Sequence, residues 1–151
     1  MFSKDELELD HFLPYRLSRL ADIISQSLAD LYIVKYQLNI PQWRVLAWMS
    51  HSNEISAKNI CALTSMDKAK VSRAIQVLEG RGLIERSSSP HDNRLQILKL
   101  TENGRLMLSK LIPEARGWES DLISTLSDSE CQMLSKLMMK LELQAECMNK
   151  S

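Results

Sequence analysis

From Leu13 the apolar positions run Leu13, Leu17, Leu20, Ile24, Leu28 and Leu31. Steps of three and four trace one face of a helix. Pro14 lies inside the run, so the main helix either begins there or kinks there. It should end near Asn39, because Pro41 suits the first turn of a following helix, where its missing N–H has no partner to lose. That second helix, PQWRVLAWMSH, carries Trp43, Val45, Leu46 and Met49, and Ser52-Asn53 breaks it. Ser56 can cap a short third helix, AKNICAL, with Ile60 and Leu63 inward. Thr64-Ser65-Met66 is a tight turn. Asp67 then opens a fourth helix, KAKVSRAIQVLEGRG, at a position where a carboxylate suits the helix dipole. Val71, Ala74, Ile75 and Leu78 form its apolar face, and Gly80 and Gly82 end it.

After Gly82 the period changes. Leu83-Ile84-Glu85-Arg86 is a short strand candidate, SSSPHDN (87–93) is turn chemistry throughout, and RLQILKL (94–100) is a second strand whose alternation slips at Leu98. Together they predict one β-hairpin with a seven-residue tip. Thr101 caps a fifth helix, and Pro113 and Gly117 suggest a bend in it. Ser127-Asp128-Ser129-Glu130 is a capping box opening a last helix with Leu134, Leu137, Met138, Leu141 and Ala145 on one stripe. A further capping box, Ser3-Lys4-Asp5-Glu6, stands near the start. The expected fold is mainly α with a small β-hairpin: a compact three-helix unit with the hairpin, flanked by long amphipathic helices that one small domain would struggle to cover.

The chain has 151 residues, enough for one ordinary domain or a compact domain with a dimerisation arm, and too few for a TIM barrel. Hydrophobic residues make up 44% and charged residues 25%, which excludes an intrinsically disordered chain. The start, MFSKDELELDHF, is acidic and is not a signal peptide, and no apolar run approaches a membrane span, so a cytoplasmic location is expected. Cys61, Cys131 and Cys147 are far apart, with no CxxC, and His11, His51 and His91 are scattered. Neither a metal site nor a cofactor is expected. The thiols read as free cysteines in a reducing cytosol, with a redox switch as the alternative. No nucleophile–base spacing or phosphate loop appears, so the chain is not read as an enzyme.

The formal net charge is zero, but it is unevenly spread. Residues 1–57 carry −2, residues 58–105 carry +4 and residues 106–151 carry −2. The basic window coincides with the third helix, the turn, the fourth helix and the hairpin. That is the footprint of phosphate binding, or the ordinary charge of a solvated helix. With Val71, Ile75 and Leu78 inward, Ala69, Ser72, Arg73, Gln76 and Gly80 face away, flanked by Lys68 and Lys70. This set suits a major groove: Arg73 for guanine, Gln76 for adenine, Ser72 for base or phosphate, Ala69 for a thymine methyl. A solvated amphipathic helix is the alternative. The short helix and turn in front give helix-turn-helix spacing, and the hairpin becomes a wing. Arg94 at the wing, with Ser88 nearby, suits a minor groove, and Asp92 is expected either to hold its guanidinium or to form a plain hairpin-stabilising pair.

The stretch VSRAIQVLEGRGLIERSSSPHDNRLQILKLTENG resembles the multiple-antibiotic-resistance regulator family, MarR. The resemblance rests on Leu78-Glu79, Gly82-Leu83-Ile84, Arg86, Asp92 and Arg94, and Leu100-Thr101 with Gly104. It implies a winged-helix homodimer that binds double-stranded DNA and regulates transcription, usually as a repressor released by a small ligand. It also implies a winged helix-turn-helix lobe at 41–104 and a helical dimerisation region at 1–40 and 105–151. Ser72 and Arg73 match the family's recognition-helix positions, and Asp92 and Arg94 its wing pair. The reactive cysteine of the family's peroxide-sensing branch is missing from His11–Ile24.

Effectors in the family lodge between the dimerisation helices and the DNA-binding lobe. Candidate ligand residues here are His11, Tyr15, Arg16 and Arg19 on the first helix and Trp43, Arg44, Trp48 and His51 on the second. Aromatic walls with an arginine suit a small aromatic or phenolic acid. The alternatives are cation–π packing of Arg44 on Trp48, and Trp43 and Trp48 as core. Two other functions stay open at this point: a winged-helix protein-interaction module, and a redox-responsive regulator acting through Cys61.

Overall fold

In the computed structural model, residues 6–52, 54–92 and 94–150 are described. Ser3 to Asp5 of the expected first capping box, Asn53 and Asn93 lie outside them. Residues 1–114 form one compact unit and residues 115–151 a second.

In the first unit a 3-10 turn (Leu9–His11) precedes α1 (Leu13–Tyr36). Pro14 sits in the first turn of α1, so the helix begins there and does not kink. It stops at Gln37, whose backbone is left-handed (φ 53°). The residues it buries are Ala29, Tyr32 and Tyr36. These lie beside the aliphatic stripe read from the sequence, whose members Leu13, Leu17 and Leu20 are exposed. Asn39 and Gln42 form a reciprocal capping box at the start of α2 (Ile40–Met49), and Val45, Leu46 and Met49 enter the core. Ser56 caps α3 (Ala57–Thr64) by accepting from the Asn59 amide at 3.0 Å. Of the two α3 residues expected inward, Ile60 is fully buried but Leu63 is 44% exposed. A helix this short covers its inner face with a single turn. Asp67 caps α4 (Lys68–Gly80), whose buried residues are the expected Val71, Ala74, Ile75 and Leu78.

The end of α4 is a Schellman turn. The Gly82 amide donates to the Glu79 carbonyl and the Leu83 amide to the Leu78 carbonyl, both at 3.0 Å. Gly82 takes φ 73°, the left-handed conformation that this turn requires. β2 (Ile84–Ser88) and β3 (Gln96–Leu100) then pair antiparallel, with Arg86 opposite Leu98 and Ser88 opposite Gln96. The hairpin tip is therefore 89–95: Ser87 and Ser88 extend β2, while Arg94 and Leu95 belong to the turn. A third strand, β1 (Ile55–Ser56), joins the other edge of β3. The hairpin predicted from the sequence is thus two strands of a three-stranded sheet. Two residues show no alternation, and Ser56 already serves as a helix cap.

α5 (Glu102–Ile123) stays helical through Pro113 and Gly117, which were expected to interrupt it. In the second unit, α6 (Asp128–Asn149) opens with the expected capping box of Ser127 and Glu130. The bonds from Ser127 hold the Glu130 carboxyl below its ordinary range. No residue of α6 is buried, and Met133, Leu134, Leu137, Met138 and Leu141 are all exposed.

Candidate nucleic-acid interface

Burial of Val71, Ala74, Ile75 and Leu78 fixes the rotation of α4 about its axis. Lys68, Ala69, Lys70, Ser72, Arg73 and Gln76 are consequently all exposed. Among the described residues no carboxylate lies within ion-pair distance of Lys68, Lys70, Arg73 or Arg94. The other cations of the basic window are differently used. Arg86 makes a two-pronged contact with Glu79 (3.2 and 3.4 Å), and Lys99 pairs with Glu54 at 2.9 Å. Charge is thus neutralised between α4 and β2 and on the β1 side of β3, and among the described residues it is left unpaired on the outward face of α4 and at the wing.

Two shallow cavities adjoin this face where the start of α2 meets α4. One, of about 360 Å³, is lined by Pro41, Lys70, Arg73 and Val77 among others. The second, of about 580 Å³, is lined by Pro41, Arg44, Met66 and Lys70 among others. Arg44 belongs to this basic groove, a neighbourhood not evident from its spacing in the sequence.

At the wing, Ser88, Asp92 and Arg94 are exposed. Asp92 does not hold the Arg94 guanidinium. Its Oδ1 accepts from the Arg94 backbone amide at 2.9 Å. An aspartate bonds readily to the amide two residues on, and doing so shapes the turn. The Leu95 amide donates to the Asp92 carbonyl and the Ser89 amide to the Leu95 carbonyl, both at 3.0 Å, which closes the tip. The exposed Arg94 side chain therefore has no acidic partner among the described residues.

The candidate ligand residues fall into separate neighbourhoods. Tyr15, Arg16 and Arg19 line a cavity of about 310 Å³ on α1 with Asp10, Leu20 and Ile23. His11 pairs with Glu8 through Nδ1 at 3.1 Å. Trp43 is half-buried and stacks on Tyr32, with ring centroids 5.5 Å apart. Burial raises the Tyr32 phenol to about 12, against the opposing pull of Arg44. Arg44 does not pack on Trp48; its Nη2 donates to Ser25 Oγ at 3.4 Å. Trp48 instead meets His51 in a tilted contact at 6.1 Å. Cys61 is half-buried against the core, and no group of three metal-ligating side chains occurs among the described residues.

Sequence inspection passes over Arg81. It follows the last turn of α4, and its guanidinium donates to the backbone carbonyls of Tyr36 and Gln37. No local motif marks such a bond between residues more than forty positions apart.

A sequence model described as "MarR family" matches residues 36–95, from the end of α1 to the wing tip. The uncharacterized HTH-type transcriptional regulator YdgJ of Bacillus subtilis (strain 168) is 26% identical over 97 residues. That match covers 64% of this chain and 59% of YdgJ, under two thirds of its length. A MarR family transcriptional regulator from Silicibacter pomeroyi DSS superposes with a TM-score of 0.79 at 26% identity, over 97% of each chain. Over residues 36–95 the chain is similar to the MarR family. Two other solved structures share its fold. A mutant of Escherichia coli MarR, complexed with operator DNA, gives a TM-score of 0.72 at 23% identity over 83% of this chain and 93% of its own. Bordetella bronchiseptica BpsR gives 0.80 at 22% identity over 91% and 97%. The chain therefore carries the winged helix-turn-helix that its sequence predicts, with α3 and α4 as the helix pair and β2–β3 as the wing. No helix among the described residues is long and apolar enough to cross a membrane.

Proposed function

We propose that the protein is a homodimeric repressor that binds a pseudo-palindromic operator through α4 and the wing and is released by a small aromatic or phenolic acid. The observation that carries this reading is the outward face of α4. Lys68, Lys70, Ser72, Arg73 and Gln76 are exposed together, and the cations there have no acidic partner among the described residues. Arg73 and Gln76 supply base-reading chemistry, while Lys68, Lys70 and Arg94 supply phosphate and minor-groove chemistry. The E. coli MarR mutant of the same fold is complexed with operator DNA.

The dimer reading rests on apolar surface. Leu13, Leu17, Leu20 and Ile23 on α1 and Leu134, Leu137, Met138 and Leu141 on α6 are exposed, more than a lone soluble chain usually leaves in rows. Residues 1–40 and 105–151 would form the dimerisation region and 41–104 the DNA-binding lobe. Two-fold symmetry then sets half-sites about 10 bp apart. For the effector, the α1 cavity offers Arg16 to clamp a carboxylate, and Tyr15, Leu20 and Ile23 to cover a ring. Its counterpart is 6-hydroxynicotinic acid, which regulates DNA binding by BpsR. A ligand releases DNA only by binding one dimer geometry better than the other.

The test is fluorescence anisotropy with DNA from upstream of the protein's own gene, across a salt series and against scrambled competitor. Competitor-resistant binding that weakens steeply with salt is expected, and aromatic acids should then release the DNA. Binding that the scrambled DNA matches, with a shallow salt slope, would favour a protein-interaction module instead.

A further inference from the structure

Arg81 takes no part in the outward face of α4, yet both terminal nitrogens of its guanidinium are engaged. Nη1 donates to the Gln37 carbonyl at 2.8 Å and Nη2 to the Tyr36 carbonyl at 2.9 Å. The left-handed turn at Gln37 ends α1 and leaves these carbonyls without helical partners. A planar guanidinium fork suits two neighbouring oxygens, and its charge suits the negative end of the α1 dipole. Arg81 is therefore a cap for α1 supplied by the residue that ends α4. α5 grips the same last turn of α1: the Glu114 carboxylate accepts from Lys35 Nζ and, at 2.9 Å, from the Tyr36 hydroxyl. α4 packs on α2 and α3, and α1 packs on α2, while Arg81 makes a direct polar bridge from the end of α1 to the end of α4.

We propose that Arg81 is a positioning residue that fixes the angle between α1 and α4, and through it the half-site spacing the protein accepts. The spacing part rests on the dimeric operator-binding reading above; the angular part does not.

The test uses the full chain with Arg81→Ala, Arg81→Gln and Arg81→Lys. One arm measures the distance distribution between spin labels at Val34→Cys and Gln76→Cys, both exposed, in a background with Cys61, Cys131 and Cys147 replaced by Ser. Labelled protein is diluted with unlabelled protein so that only distances within one chain are read. One narrow distance is expected with Arg81, a broadened or shifted one for Ala and Gln, and a partial return for Lys, which keeps the charge and a donor. Arg81→Lys also keeps the test decisive should the alanine chain fold poorly.

The second arm measures affinity for operators whose half-site spacing is lengthened or shortened by one base pair. Arg81→Ala should lose about tenfold at the preferred spacing. It should lose little on an isolated half-site, so its spacing profile flattens. Unchanged distance distributions, or equal weakening on every DNA, would overturn the proposal. If the protein with Arg81 intact binds no operator, the operator reading fails, while the distance arm still decides the role of Arg81.

Discussion

The α-carbon of Gly104 lies against the backbone carbonyl of Leu83 so closely that a Cβ would come within 2.1 Å of that oxygen. The same carbonyl accepts from the Thr101 amide at 3.0 Å. Thr101 Oγ1 donates to the Gly82 carbonyl at 2.6 Å and accepts from the Gly104 amide at 3.1 Å. The Leu-Thr-x-x-Gly pattern is thus a clamp. It seats the start of α5 on the turn that ends α4, and none of its residues faces the outward surface of α4.

Gly104→Ala should therefore destabilise the fold without touching the exposed outward residues of α4. The obstructing atom belongs to the backbone, so relief requires moving the α4–β2 turn or α5. A cost of about 2–3 kcal/mol is expected from forced backbone shifts of this kind. Denaturant unfolding monitored by circular dichroism checks it; a change under about 0.5 kcal/mol would show that the turn yields freely.

The motif is legible in the sequence before its cause is. Helix order, four of the caps (Ser56, Asp67, Thr101 and Ser127) and the buried face of α4 follow from spacing and capping chemistry, which act over a few residues. The features that escape are non-local. β1 exists only because Ile55 finds Leu98 across the sheet. Arg81 reaches back to Tyr36, and Glu114 to Lys35 and Tyr36. At the wing the expected bond is replaced by another, because Asp92 has a backbone amide within easier reach than a guanidinium. For the ligand candidates, side-chain type suggests one site where the fold distributes the residues over several.

Ser65 ends α3 with φ 56°, in the turn between the two helices of the helix-turn-helix. A residue with a Cβ meets a steric penalty in the left-handed region. Ser65→Gly removes it, and even against the greater chain entropy that glycine loses on folding, stability should rise by about 0.5–1 kcal/mol. A higher thermal midpoint with unchanged DNA affinity is expected. A lower midpoint would mean that the Ser65 side chain contributes more than its backbone costs.

The Lys35–Tyr36–Glu114 cluster predicts a pH dependence with two limbs. Bonds from Lys35 and then Tyr36 hold the Glu114 carboxyl below its ordinary range, and the bond to Glu114 holds Lys35 above its own. A depressed carboxyl stabilises the fold above its unfolded value, and that contribution is lost as pH falls through the depressed one. A raised lysine contributes fully below its unfolded value, and that contribution is lost as pH rises through the raised one. The cluster should be fully effective between about pH 5 and pH 10 and fade outside that window. Glu114→Gln should thus lower the thermal midpoint most near neutrality and converge with the unsubstituted protein in acid. A difference that persists undiminished at about pH 3 would assign the effect to packing instead of charge.

Arg73 and Lys68 both lie exposed on the outward side of α4 without an acidic partner among the described residues, but their chemistry predicts different losses. A guanidinium that pairs with one base edge contributes to discrimination, so Arg73→Ala should cost about 1–3 kcal/mol on the operator and relax preference at one base position. An ammonium at a phosphate contributes no sequence information. Lys68→Ala should weaken binding to operator and scrambled DNA alike, and lower the slope of log affinity against log salt by about one. Arg94→Ala should also weaken binding, most at sites where the minor groove under the wing is narrow. Anisotropy titrations of the three variants on single-base operator substitutions, each over a salt series, separate these outcomes. Uniform weakening by Arg73→Ala across all sequences would demote it to a phosphate contact and leave Gln76 and Ser72 as the base readers. Unchanged affinity on Arg94→Ala would remove the wing from the interface.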